Sequence, residues 1–105
     1  MTDRHKKALK HACCVLKEIP YVRRIYLFGS CARGDETYQS DVDLFILTES
    51  GVSKDQLFDM KCKVISDDLS LPDVNLITAD SLQKLTSVQF VNNIIKDGVL
   101  VWKKK

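Results

Sequence analysis

Two short apolar runs bracket a polar loop that opens with Gly29-Ser30 and closes with Ser40-Asp41-Val42-Asp43. The runs cover residues 25–28 and 42–47 and are built from Ile, Leu, Val and Phe, with Tyr26 and Asp43 interspersed. Segments so short and so apolar read as buried strands rather than helices. The loop between them is about a dozen residues, longer than a plain hairpin needs, and long loops in small domains tend to carry function when they are ordered. The chain is thus held to a strand–loop–strand unit, with glycine leaving the first strand and paired acids heading the second.

The remaining elements arrange themselves around that unit. Thr2 or Asp3 can cap a first helix that runs to about residue 19 and stops before Pro20. Ala8, Ala12, Val15, Leu16 and Ile19 give it an apolar stripe at helical spacing. Ser53 can cap a second helix to about residue 69, with Leu57, Met60, Val64 and Ile65 facing inward. Pro72 precedes a third strand over residues 74–78, and Asp80 or Ser81 opens a short helical turn. A last helix over about residues 87–96 ends at Gly98, where a C-cap glycine belongs, and residues 99–102 form a terminal strand at a sheet edge. The order is helix, strand, strand, helix, strand, helix, strand.

A chain of 105 residues, 45% of them hydrophobic, suffices for one small domain with a single core, expected to span residues 1–105. The formal net charge of +2 does not by itself point to nucleic acid. The basic residues gather at the ends and read as a solvated helix face and a solubilising tail. Cys13, Cys14, Cys31 and Cys62 form no C-x-x-C pair, and no histidine lies at zinc-ligand spacing from them. The N-terminus is polar and charged, unlike a signal peptide, and no apolar stretch approaches membrane-spanning length. The expectation is a reduced, cytoplasmic protein.

The loop residues carry the chemistry. A strand that ends in Gly29-Ser30 and turns into a helical segment aims backbone N–H groups outward, the arrangement that binds phosphate oxygens. The bare backbone at Gly29 lets a ligand approach, and the Ser30 hydroxyl adds a donor. Gly34 permits the next turn, and Arg33 either reaches a phosphate or holds the loop. Asp41 and Asp43, at i and i+2 on a strand, point to one face with Cα atoms roughly 7 Å apart. Two carboxylates on one face repel each other, and a divalent cation removes the conflict. Mg²⁺ is bound by one or two carboxylates together with phosphates and waters.

Gly29-Ser30, ten residues, then Asp41-Val42-Asp43 resembles the G-S-x10-D-x-D signature of the polymerase-beta-like nucleotidyltransferase superfamily. Ala32-Arg33-Gly34, the short length and the Asp97-Gly98-strand ending are similar to its minimal nucleotidyltransferase (MNT) branch. The resemblance covers essentially the whole chain. It implies an α/β (α+β) fold with a small mixed sheet flanked by helices. It implies that Gly29, Ser30, Arg33 and Gly34 contact a nucleoside triphosphate and that Asp41 and Asp43 bind Mg²⁺. It further implies transfer of a nucleoside monophosphate, commonly AMP from ATP, to a hydroxyl on a protein or small molecule. Members of this branch often act as antitoxins beside a HEPN-domain ribonuclease toxin, and some place AMP on a toxin tyrosine.

The family's third carboxylate comes from the next core strand, and here that position is Asn75, in Val74-Asn75-Leu76-Ile77. An amide oxygen can ligate Mg²⁺ but cannot act as a general base. Asp73 lies a full pleat repeat away, reachable only if the strand is irregular. His5 and His11 read as exposed helix residues, and Tyr38 is the one aromatic inside the loop. So short a chain leaves little to form an acceptor pocket, so a partner protein or a second copy of the chain is expected to complete the site. Three functions remain open: an active nucleotidyltransferase acting on a partner protein, with Asp41, Asp43 and Asn75 at its catalytic centre; a module that binds a partner without turnover; and, ranked last, a small-molecule nucleotidyltransferase, a type that usually carries an added helical domain.

Overall fold

The computed structural model of the chain describes residues 1–65, 68, 70–80 and 98–105. In chain order these form α1 (Asp3–Leu16), β1 (Val22–Phe28), α2 (Gly29–Arg33), β2 (Val42–Thr48), α3 (Lys54–Val64), β3 (Val74–Ala79) and β4 (Val99–Lys103). The strands make one sheet in the order β3-β2-β1-β4. β1 is antiparallel to β2 and β4, and β2 is parallel to β3. A parallel pair requires a crossover, which α3 provides. The sheet is therefore mixed and the fold α/β, as expected.

β2 is central and buried on both faces, which explains its near-continuous apolar sequence. Val42, Leu44 and Ile46 pack with Ala8, Ala12 and Leu16 of α1 and with Met60 and Val64 of α3. The three α1 residues fall at i, i+4 and i+8, one stripe of the helix. Phe45 and Leu47 point to the opposite face and cluster with Tyr26, Phe28, Ile77 and Ala79. The starts of α1 and α3 are capped by hydroxyls. Thr2 accepts from His5 N–H, and Ser53 and Gln56 form a reciprocal capping box.

The boundaries depart from expectation where turns or charged residues intervene. α1 stops at Leu16, because Glu18 N–H bonds Val15 C=O and Ile19 N–H bonds Leu16 C=O, i→i+3 closures that tighten the chain before Pro20. β1 begins at Val22, three residues before its apolar run. Arg23 and Arg24 belong to it because they pair with the edge strand: Arg24 faces Lys103, and Lys104 N–H bonds Arg23 C=O at 2.9 Å. α3 ends at Val64, and Ile65 is extended and 72% exposed rather than inward-facing. β3 and β4 each run one residue beyond expectation, and β4 lies at a sheet edge. The turn from Ser81 and the helix over 87–96 fall outside the described residues.

Candidate functional site

Strand register gathers three residues at one end of the sheet. Phe28 of β1 pairs with Asp43 of β2, and Asp43 pairs with Asn75 of β3. Asp41 immediately precedes Val42, the first residue of β2. Asn75 Nδ2 donates to Asp41 Oδ2 at 2.9 Å and to Asp43 Oδ1 at 3.2 Å. One amide nitrogen thus spans both carboxylates. Asp73 contributes differently: its carbonyl accepts from Val42 N–H at 2.8 Å and aligns the start of β3 with β2.

The glycine elbow meets the acid pair from the other side. Gly29 has φ +74°, a conformation that L side chains rarely adopt. A Cβ at this position would fall 2.4 Å from Asp43 Oδ2 and 3.3 Å from its Cγ. Two independent constraints therefore demand glycine. Gly34 has φ +82° and caps α2, its N–H bonding Ser30 C=O at 2.9 Å, but a Cβ there would meet nothing within 4 Å. Its glycine serves the turn alone. The Arg33 guanidinium is paired with Asp35, Nε to Oδ2 at 3.3 Å, with both side chains exposed. Ser30 is half-buried in the first turn of α2. Of the residues expected on the nucleotide side, Gly29 lies against Asp43, while Arg33 and Gly34 engage the loop itself.

The N-terminus of α1 grips that loop. His5 is fully buried, not exposed as its sequence context suggested. Its Nε2 lies 2.8 Å from Ser40 C=O and its Nδ1 2.5 Å from Thr2 Oγ1. A carbonyl can only accept, so Nε2 carries the proton. Thr2 Oγ1 accepts from His5 N–H and donates to Nδ1. Arg4 lies 3.8 Å above the Tyr38 ring, donates to Tyr38 C=O at 2.9 Å and to Ser70 C=O at 2.7 Å. Thr2 N–H bonds Glu36 Oε1 at 2.9 Å. The loop is therefore held at residues 36, 38 and 40, directly ahead of Asp41. Sequence reading missed this clamp because its acceptors are largely backbone carbonyls more than thirty residues away, which no side-chain spacing reveals.

Cys31 is buried beneath the acid pair and donates to Asp41 C=O at 3.6 Å. Burial pushes its thiol pKa up, and nearby Glu36 and Asp43 push it further, so it stays a neutral packing group. Burial likewise pushes the Cys13 thiol up to about 11, with Cys14 adding to the effect. His11 is half-buried rather than exposed, and its Nε2 has no hydrogen-bond partner among the described residues. It lines a cleft of about 410 Å³ with Lys61, Leu71, Pro72 and Asp73, and Asn75 forms part of the same wall.

Among the described residues no group of three or more His, Cys, Asp or Glu side chains is placed to hold a metal. Asp41 and Asp43 nevertheless both present an oxygen to one shared point, the position of Asn75 Nδ2. Two hard oxygen donors at one point fit Mg²⁺, whose other ligands are ordinarily water and phosphate.

This sheet order, with its glycine turn lodged against the acids of the central strand, defines a nucleotidyltransferase-type α/β domain. The family model described as Polymerase beta, Nucleotidyltransferase matches residues 11–105, and the chain belongs to that family. Among solved structures, a chain of a toxin–antitoxin complex with AMP-PNP is similar at TM-score 0.68 and 24% identity, over 91% of this chain and 73% of that one. A protein from Sulfolobus solfataricus described as a nucleotidyltransferase is similar at TM-score 0.65 and 26% identity, over 97% and 86%. A chain of the complex between the tri-AMPylated Shewanella oneidensis HEPN toxin and its MNT antitoxin is similar at TM-score 0.58 and 22% identity, over 96% and 71%. No curated protein matches the sequence. No helix among the described residues is long and apolar enough to cross a membrane.

Four outcomes are expected. Gly29→Ala should destabilise the fold by about 1–3 kcal/mol in urea unfolding, through strain and overlap with Asp43. Gly34→Ala, which meets only the strain, should lose about 1 kcal/mol. His5→Ala should lose about 2–4 kcal/mol by the same measurement, leaving the Ser40 carbonyl without its donor. Alkylation at pH 8 followed by mass spectrometry should label the exposed Cys14 and Cys62 well before Cys13 and Cys31.

Proposed function

We propose that the chain is a Mg²⁺-dependent nucleotidyltransferase that moves a nucleoside monophosphate, AMP from ATP, onto a hydroxyl of a partner protein. It acts as one minimal nucleotidyltransferase domain over residues 1–105. The observation that supports this reading is the close approach of Gly29 to Asp43, by which the glycine turn after β1 and a carboxylate of β2 meet at one place.

In this reading the bare backbone of Gly29 and the hydroxyl of Ser30 take triphosphate oxygens. Arg33 adds a phosphate contact by leaving Asp35, and Gly34 shapes the turn that lets it do so. Asp41 and Asp43 would hold Mg²⁺, which when bound would supply positive charge against the phosphate oxygens. The acceptor oxygen attacks the α-phosphorus in line, forming a new P–O bond as the bond to pyrophosphate breaks. Asn75 is neutral and cannot take the acceptor proton, which leaves the carboxylate pair as the nearest bases. The protein otherwise works by positioning.

The partner is a HEPN-domain toxin and the chain its cytoplasmic antitoxin. The complexes formed by the chain's structural neighbours support this, and the free state of Cys13, Cys14, Cys31 and Cys62 suits a reducing compartment. A second copy of the chain is the other candidate to complete the acceptor site. Asn75, in place of a third carboxylate, favours a second reading: a nucleotidyltransferase-fold module that neutralises its partner by binding alone.

The test is incubation with α-labelled ATP, Mg²⁺ and the product of the gene neighbouring the one for this chain. Label is expected on the partner and should disappear with Asp43→Asn. An intact complex that acquires no label would overturn catalysis in favour of binding alone.

A further inference from the structure

We infer that Asn75 is a built-in counter-group for the Asp41–Asp43 pair, one that a divalent cation must displace rather than recruit as a ligand. This rests on the Mg²⁺ reading of the pair given above and concerns how the metal is admitted.

The direction of the amide is fixed by its surroundings. Its nitrogen lies 2.9 Å from one carboxylate and 3.2 Å from the other. Turning the group over would set its carbonyl oxygen against two carboxylate oxygens, acceptor facing acceptor. The two N–H bonds of the amide instead answer both acids at once. Among the described residues no cationic side chain reaches either acid. The nearest arginine in sequence, Arg33, is engaged with Asp35. The parallel register of β2 and β3 keeps the backbone of Asn75 beside Asp43, within reach of both acids.

A carboxylate at position 75 would add a third negative charge and leave the site dependent on metal for its compactness. The amide lets the pair stay together with no cation present. Its nitrogen occupies the point both acids address, so a cation arriving there breaks two charge-assisted hydrogen bonds before it gains its own contacts. Metal affinity is lowered accordingly. Occupancy then depends on ligands that arrive with the metal, which makes the triphosphate the natural carrier.

The sign of one substitution decides the matter. Mn²⁺ is titrated into the full chain without nucleotide, with free Mn²⁺ read by electron paramagnetic resonance. Asn75→Ala is expected to bind Mn²⁺ roughly three- to thirtyfold more tightly than the wild type, because the two hydrogen bonds no longer oppose it. If Asn75 were a metal ligand, the same substitution would weaken binding, and equal or weaker binding overturns the inference. Asn75→Leu, similar in size and unable to donate or ligate, repeats the comparison if the alanine variant does not fold. In the unmutated protein, the Asn75 side-chain NH₂ resonances should shift when MgATP is added, and unmoved resonances count against displacement. A chain in which no variant binds Mn²⁺, Asn75→Asp included, would instead remove the metal reading of the acid pair itself.

Discussion

The carboxylate of Asp43 lies too close to Gly29 to leave room for the first carbon of a side chain at position 29. That close approach ties two distant pieces of sequence into one site. It fixes where β1 must end, since the chain turns away at a positive φ only glycine tolerates easily. It fixes the start of β2, whose first residues carry the acids. It also sets the height of β3, because the register that places Asn75 beside Asp43 carries Leu76 beside Leu44 into the core. The site and the packing behind it are one construction: alternation sends Val42 and Leu44 to the helices and leaves Asp41 and Asp43 on the opposite face.

Much of this was legible in the sequence, and for identifiable reasons. The cores of β1 and β2 announced themselves by short apolar runs, and the glycine and paired acids by their chemistry and spacing. The start of β1 did not, because Arg23 and Arg24 look like loop residues until their edge partner β4 is known. The end of α3 was overestimated because Ile65 continues a helical stripe in which the structure gives it no inward role. His5 was misread because a histidine on a lysine-rich helix start resembles a solvated residue. Its burial depends on a loop folding back over it from 35 positions away.

Asn75 marks a subtler boundary of sequence reasoning. Its place opposite the acids follows from strand order and register. Which of its two ends faces them does not, because an amide both donates and accepts and the neighbours choose. An oxygen toward a metal was the natural expectation. Two unpaired carboxylates reverse it, and they turn the nitrogen inward. Arg33 follows the same logic at the loop's outer side, where Asp35 claims a guanidinium that the sequence left open between ligand and loop.

The grip of α1 on residues 36, 38 and 40 has a consequence for how the molecule comes apart. A surface loop ordinarily frays on its own, at little cost and ahead of the core. Here local fraying would strip His5 of the Ser40 carbonyl and Arg4 of the Tyr38 ring and carbonyl, and uncover the start of a helix whose other face belongs to the main core. The acid-bearing segment is therefore a member of the first helix's cooperative unit, and warming should melt the two in a single step.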